Sequence, residues 1–243
     1  MKAKKYLISV TMLIAIFGLL PMANALTITF NTPSGGMMGG QPVDATATFT
    51  TGDGILGISV NNLENNPRSV IQNLSDLGFV LSTGQTTGTL SSSSATIHTV
   101  NSDKTFTDSG TGDTGWLLEN DYLISPFGTG LRLHVLGTPI GPAHTLIGGP
   151  DGSDLYSNAE GSIAGNGPHN PFIFGPVTFD ISIAGITEST NITVARFSFG
   201  TTEGNNIDVP SPVHPVPEPA TMLLLGSGLI GLAGYGRKKF FKK

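Results

Sequence analysis

Apolar residues recur at every second position over much of this chain, and a period of two restricts those stretches to β-strands. Leu26, Ile28 and Phe30 alternate with Thr27 and Thr29, and Ala45, Ala47 and Phe49 with Thr46, Thr48 and Thr50. Leu131, Leu133 and Val135 alternate with Arg132 and His134, and Val177, Phe179, Ile181 and Ile183 with Thr178, Asp180 and Ser182. Ile192-Thr193-Val194 and Phe197-Ser198-Phe199 repeat the pattern. Successive side chains of a strand point to opposite faces, so each run offers one face to a core and the other to water. Turn formers separate the runs: Gly52-Asp53-Gly54, Gly148-Gly149-Pro150-Asp151-Gly152 and Gly165-Asn166-Gly167-Pro168. Many short strands with glycine-rich turns predict an all-β, antiparallel, sandwich-like or jelly-roll-like fold.

One segment departs from that period. Asn66 suits a helix cap, Pro67 the first helical position, and Val70, Ile71, Leu74 and Leu77 follow helical spacing up to Gly78. This predicts one short amphipathic helix over residues 67–77, lying as a lid over an open sheet end. The low-complexity stretches 82–88 and Ser91 to Ser94 are flanked by apolar residues and read as exposed turns joining edge strands. No fixed-period repeat emerges, so a regular solenoid is not supported.

The two ends obey different rules. Lys2, Lys4 and Lys5 precede an apolar stretch over residues 6–20, and Ala23-Asn24-Ala25 is a small-x-small cleavage site. That is a secretory signal peptide over residues 1–25, read by the Sec translocon. At the other end, prolines flank a carboxylate in Pro217-Glu218-Pro219, which holds that triplet extended. Residues 220–236 carry no charge. As a helix they would be about 26 Å long, barely enough for a hydrocarbon core of about 30 Å. Five glycines from Gly226 to Gly236 weaken such a helix. The basic residues Arg237, Lys238, Lys239, Lys242 and Lys243 stop transfer and stay cytoplasmic. The organisation expected is a signal peptide, a β-rich passenger over 26–209, a proline-rich linker over 210–216 and a sorting signal over 217–243.

Val216-Pro217-Glu218-Pro219-Ala220-Thr221-Met222-Leu223-Leu224-Leu225-Gly226, closed by Arg237-Lys238-Lys239, resembles the PEP-CTERM sorting segment of bacterial exported proteins. The same segment is catalogued as the ice-binding protein C-terminal domain. The resemblance implies processing near Pro217-Glu218-Pro219 by an exosortase, a membrane-embedded thiol peptidase. It also implies a temporary stay in the inner membrane, then association with exopolysaccharide or biofilm matrix at the cell surface.

Between the two signals only Arg68, Lys104, Arg132 and Arg196 are basic, against 16 acidic residues, a net charge of −12. Such a surface repels nucleic acid. Cysteine is absent, which excludes disulfides, a thiol nucleophile and thiolate metal sites. No Gly-x-Ser-x-Gly elbow, His-Glu-x-x-His motif or phosphate-binding glycine loop occurs, so no catalytic residue and no resident metal are expected. The histidines His98, His134, His144, His169 and His214 follow no ligand spacing, although Arg132 and His134 share a strand face where a carboxylate could meet them. For acidic pairs such as Glu119/Asp121 or Asp151/Asp154, sequence proximity says nothing about the carboxyl separation that glycoside hydrolysis needs.

Calcium is an alternative at Asp151-Gly152-Ser153-Asp154 and among Asp103, Asp108 and Asp113, although neither stretch has calcium-loop spacing. The threonines at 27 and 29 and at 46, 48 and 50 suggest a flat face. Ice recognition, however, needs a long regular array, and no repeat supplies one. In the polar stretch 156–172, Tyr156, His169 and Asn170 are the residues suited to stack on and hydrogen-bond to a sugar. The expected function is that of an exported surface or matrix protein without catalysis of its own. The alternatives are a carbohydrate-binding module and a matrix polysaccharide hydrolase.

Replacing Pro217, Glu218 and Pro219 together by alanine should leave a larger, membrane-bound species accumulating in exosortase-bearing cells. Equal size and equal membrane fraction for wild type and variant would reduce the triplet to a linker.

Overall fold

A computed structural model describes residues 25–211; the signal peptide, the Pro217-Glu218-Pro219 triplet, the span over 220–236 and the basic tail lie outside the described residues. The chain divides into two compact units, Met1–Pro210 and Ser211–Lys243, and the first carries the β-structure. Among the described residues no helix is long and apolar enough to cross a membrane. The strands are β1 (Leu26–Asn31), β2 (Met37–Met38), β3 (Gln41–Pro42), β4 (Ala45–Thr51), β5 (Ile55–Asn62), β6 (Leu74–Leu81) and β7 (Thr89–Val100). They continue as β8 (Phe106–Gly112), β9 (Leu117–Ile124), β10 (Gly128–His134), β11 (Leu146–Ile147), β12 (Phe172–Ser182), β13 (Ile192–Phe199) and β14 (Asn206–Pro210).

Pairing is antiparallel except between β11 and β12. The main sheet runs β1-β4-β5-β12-β11-β6-β10-β9, with β7 and β8 branching from β12 and β13 and β14 from β6. The two-residue β11 therefore joins a half built on β12 to a half built on β6. The inner faces of both halves contribute to one core. Phe30 packs edge-on to Phe49 with ring centroids 5.6 Å apart, and Phe49 meets Phe79 of the other half at 5.4 Å. Trp116 lies 5.6 Å from Phe179. Each fully buried side chain of this size contributes about 1.5–3 kcal/mol from removal of apolar surface from water.

The expected helix over 67–77 is not formed. Val70–Gln72 is a single 3-10 turn and Leu74 begins β6. The Gln72 side-chain carbonyl closes that turn by accepting the N–H groups of Arg68 (2.6 Å) and Ser69 (3.2 Å), and Asn73 returns to extended geometry. The physical reason for the misleading spacing is burial on both faces. Strand β6 lies between β10 and β13 and all eight of its residues are buried, so its apolar residues follow no period of two. Ser91 to Ser94, expected as a turn, instead lie inside β7 opposite β12, with Ser92 beside Asp180 and Ser94 beside Thr178.

The outer face of the β6 half carries charge in register. Glu119 of β9 stands beside Arg132 of β10, which stands beside Gly78 of β6; on the other side of Gly78 come Arg196 of β13 and Asp208 of β14. Arg132 donates to Glu119 at 2.7 Å and to Glu203 at 3.3 Å, and its guanidinium stacks 4.4 Å from the Tyr122 ring centre. Arg196 grips Asp208 with two hydrogen bonds of 2.6 and 2.8 Å. Gly78 lets the row pack closely, because a Cβ would stand 3.0 Å from Ile124 and 3.4 Å from the Tyr122 ring and push those side chains aside.

Asp76, one same-face position from Gly78 on β6, lies buried 3.5 Å from Arg132. Burial pushes its carboxyl from 3.8 up to about 7, with Arg132 opposing and Glu203 adding to the rise. A carboxyl whose pKa is higher folded than unfolded supplies stability that is full below about pH 4 and lost as pH rises through the folded value. Asp76→Asn should therefore gain on the wild type in urea unfolding as pH goes from 5 to 8. A constant difference between the two proteins over that range would contradict this role of Asp76.

Candidate functional site

A groove of about 500 Å³ opens where β3, the segment after β5 and the long loop before β12 converge. Its walls are Gln41 and Pro42, then Glu64, Asn65, Asn66, Arg68 and Gln72, then Ser157, Asn158 and Glu160. Asn66 ties the segment after β5 to the long loop, and Gln72 ties the same segment to β3 by donating to the Pro42 carbonyl at 3.0 Å. The Asn66 backbone adopts a left-handed φ of 53°, a region asparagine tolerates better than most residues. Its N–H donates to the Gly149 carbonyl at 2.6 Å, and its side chain accepts from Asn158 N–H and donates to Ser157 Oγ, both at 2.9 Å. At the rim, Arg68 Nε donates to Glu160 at 2.6 Å, between two exposed side chains. Burial, with the charge of Asp44, pushes the Glu64 carboxyl above its ordinary value.

The sugar contacts expected of Tyr156, His169 and Asn170 do not match where the structure places them. Tyr156 is fully buried, packs edge-on to His98 and Phe106, and its hydroxyl donates to the Gly148 carbonyl at 2.8 Å. It has no ring face left to stack on a ligand. His169 Nδ1 lies 2.7 Å from the Ser162 carbonyl. Asn170 accepts from Val100 N–H at 2.9 Å and donates to the carbonyls of Ile163 and Asn166. Tyr156 and Asn170 fix the loop onto β7, and His169 closes the loop on itself. The groove residues of that loop are Ser157, Asn158 and Glu160. Their partners Asn66 and Arg68 sit at the start of the segment whose spacing imitated a helix, which hid them.

The acidic loops stay at the surface, with their carboxylates bonded to neighbouring groups of the chain. Asp151 accepts from Ser157 Oγ at 2.5 Å and from the N–H groups of Ser153 and Leu155, which holds its carboxyl below the usual range. Asp103 accepts from Thr105, Asp108 contacts His98, and Asp113 accepts from Gly115. Glu119 serves Arg132, whereas Asp121 accepts from Thr86. Among the described residues no three His, Asp or Glu side chains are placed to hold a metal ion.

The histidines do not converge on one site. His98 is buried between Phe106 and Phe174 with Nδ1 2.6 Å from Asp108, and burial lowers its pKa. His134 Nδ1 faces the Leu136 carbonyl, His144 Nδ1 the Thr114 carbonyl, and His214 lies outside the described residues. Arg132 does meet carboxylates on its strand face, but each bond of that row is already closed.

No curated protein and no solved structure is similar to this chain. Residues 215–238 match the PEP-CTERM protein-sorting motif, which implies export, membrane-anchored sorting and processing by an exosortase; the match covers that segment alone and does not carry the ice-binding name.

Proposed function

We propose that this is an exported surface or matrix protein without catalysis of its own, whose groove binds short neutral glycans. In this reading the β body is a sandwich, released after processing near Pro217-Glu218-Pro219 and retained among uncharged exopolysaccharide. The observation that carries the proposal is the lining of the groove. Gln41, Asn65 and Asn158 put three side-chain amides around one opening, while the amides of Asn66 and Gln72 hold its walls together. An amide offers both donors and an acceptor in fixed geometry, which suits sugar hydroxyls that both give and take hydrogen bonds. A passenger charge of −12 disfavours polyanions as ligands.

Hydrolysis is the second reading, because Glu64 and Glu160 share the groove and the Glu64 carboxyl is raised. Binding is favoured over it because Glu160 is committed to Arg68.

Calorimetric titration of the exported passenger with cello-, malto- and chito-oligosaccharides tests the proposal. At least one series should bind, and the pair Asn65→Ala and Asn158→Ala should weaken it about ten-fold at unchanged Tm, as loss of one or two hydrogen bonds implies. No binding in any series would contradict the groove. Release of new reducing ends would overturn the non-catalytic reading.

A further inference from the structure

The β12 half presents an outer face unlike the charged row on β6. Thr29, Thr48, Ser59, Thr178 and Ser94 stand side by side across β1, β4, β5, β12 and β7. The next row is Thr27, Thr50, Gly57, Asp180 and Ser92. All ten are exposed or half-exposed, while their chain neighbours Ala47, Phe49, Ile58 and Phe179 are buried in the core. The grid is therefore held rigid from beneath, with strands about 4.8 Å apart and same-face residues about 6.6 Å apart along each strand.

We infer that this face is a contact surface for ordered, uncharged polysaccharide, separate from the groove. Three observations point to that chemistry. First, the two rows contain no lysine, arginine or aromatic residue, and the flanking apolar exception is Ile55 at the hairpin end beside Ser182. Polyanions and apolar protein surfaces thus find nothing complementary.

Second, the hydroxyls are pre-oriented by one another. Thr29 and Thr48 are 2.9 Å apart, Thr27 and Thr50 3.4 Å, and Ser92 donates to Asp180 at 2.8 Å. A hydroxyl has one donor and two acceptor positions, so each retains capacity toward solvent.

Third, Gly57 interrupts the second row where packing does not demand it. A Cβ there would meet nothing closer than 3.8 Å. Glycine weakens a strand relative to alanine, and where no bulge or bend requires it, it leaves room for a ligand to approach the backbone closely. A side-chain-free position lowers the middle of the face.

Each hydrogen bond to such a face nets little, because it replaces one already made to water. A free sugar would be held weakly, whereas an ordered surface engages many positions at once and gains through multivalency. This inference rests on the protein being a non-catalytic matrix protein, but it does not rest on the groove.

Co-sedimentation of the exported passenger with microcrystalline cellulose, crystalline chitin and insoluble β-1,3-glucan tests it, with alginate gel as the anionic control. Wild type should pellet with at least one of the three and not with alginate. Thr48→Lys combined with Thr178→Lys should pellet at least ten-fold less at unchanged Tm. The matching serine pair, and the Asn65→Ala/Asn158→Ala groove variant, should pellet like wild type. Absence of pelleting with all three polymers would overturn the inference, as would equal pelleting of the lysine variant. Loss confined to the groove variant would also overturn it and leave the groove reading standing.

Discussion

Burial of β6 on both faces is the constraint on which the rest of the structure depends. Its inward side chains Leu77, Phe79 and Leu81 complete the core shared with β4 and β12. Its outward positions Asp76, Gly78 and Val80 carry the charged row and a small apolar cluster with Ile124, Val194 and Tyr122. A one-residue slip would exchange the two sides, so core and outer row together fix the register of this strand. With no cysteine in the chain, packing and backbone pairing supply the cohesion that disulfides give many exported domains.

The same constraint explains what the sequence revealed and what it concealed. Strands with one wet face were legible: β1, β4 and the second half of β12 alternate apolar and polar residues as a half-buried sheet requires, and β10 and β13, though covered on both faces, still alternate because Arg132, Arg196 and Ser198 make one of their faces polar. Strand β6 was not, since two covered faces erase the alternation and leave Leu74 and Leu77 three apart, as in a helix. Ser91 to Ser94 looked like a turn from composition, although a serine run suits a strand whose outer face is solvated. The groove was hidden for another reason. Asn66 and Asn158 meet only through the fold, and no spacing rule links residues 92 positions apart. Tyr156 was chosen for its chemistry, but burial decided its role. The sorting segment was the most legible part, because its information is local.

The two outer faces differ in what they leave open to solvent. On the β6 half, Arg132 and Arg196 are paired with Glu119, Glu203 and Asp208, so neither guanidinium is left open for an anionic partner. On the β12 half, hydroxyls stand in rows with capacity left over. That asymmetry, in an acidic chain carrying an export and sorting motif, suits an uncharged extracellular partner far better than a nucleic acid or a polyanion.

Hydrogen exchange of the exported passenger, read by mass spectrometry of overlapping peptides, tests the central claim most directly. If β6 is the doubly covered centre of one cooperative β body, the amides of Leu74–Leu81 should exchange last, together with β12 and only through global unfolding. The 3-10 turn at Val70–Gln72 and the edge strands β1 and β14 should exchange earlier. Exchange of β6 as fast as β1, or one continuous protected block over residues 67–77 that ends before Leu81, would contradict the account.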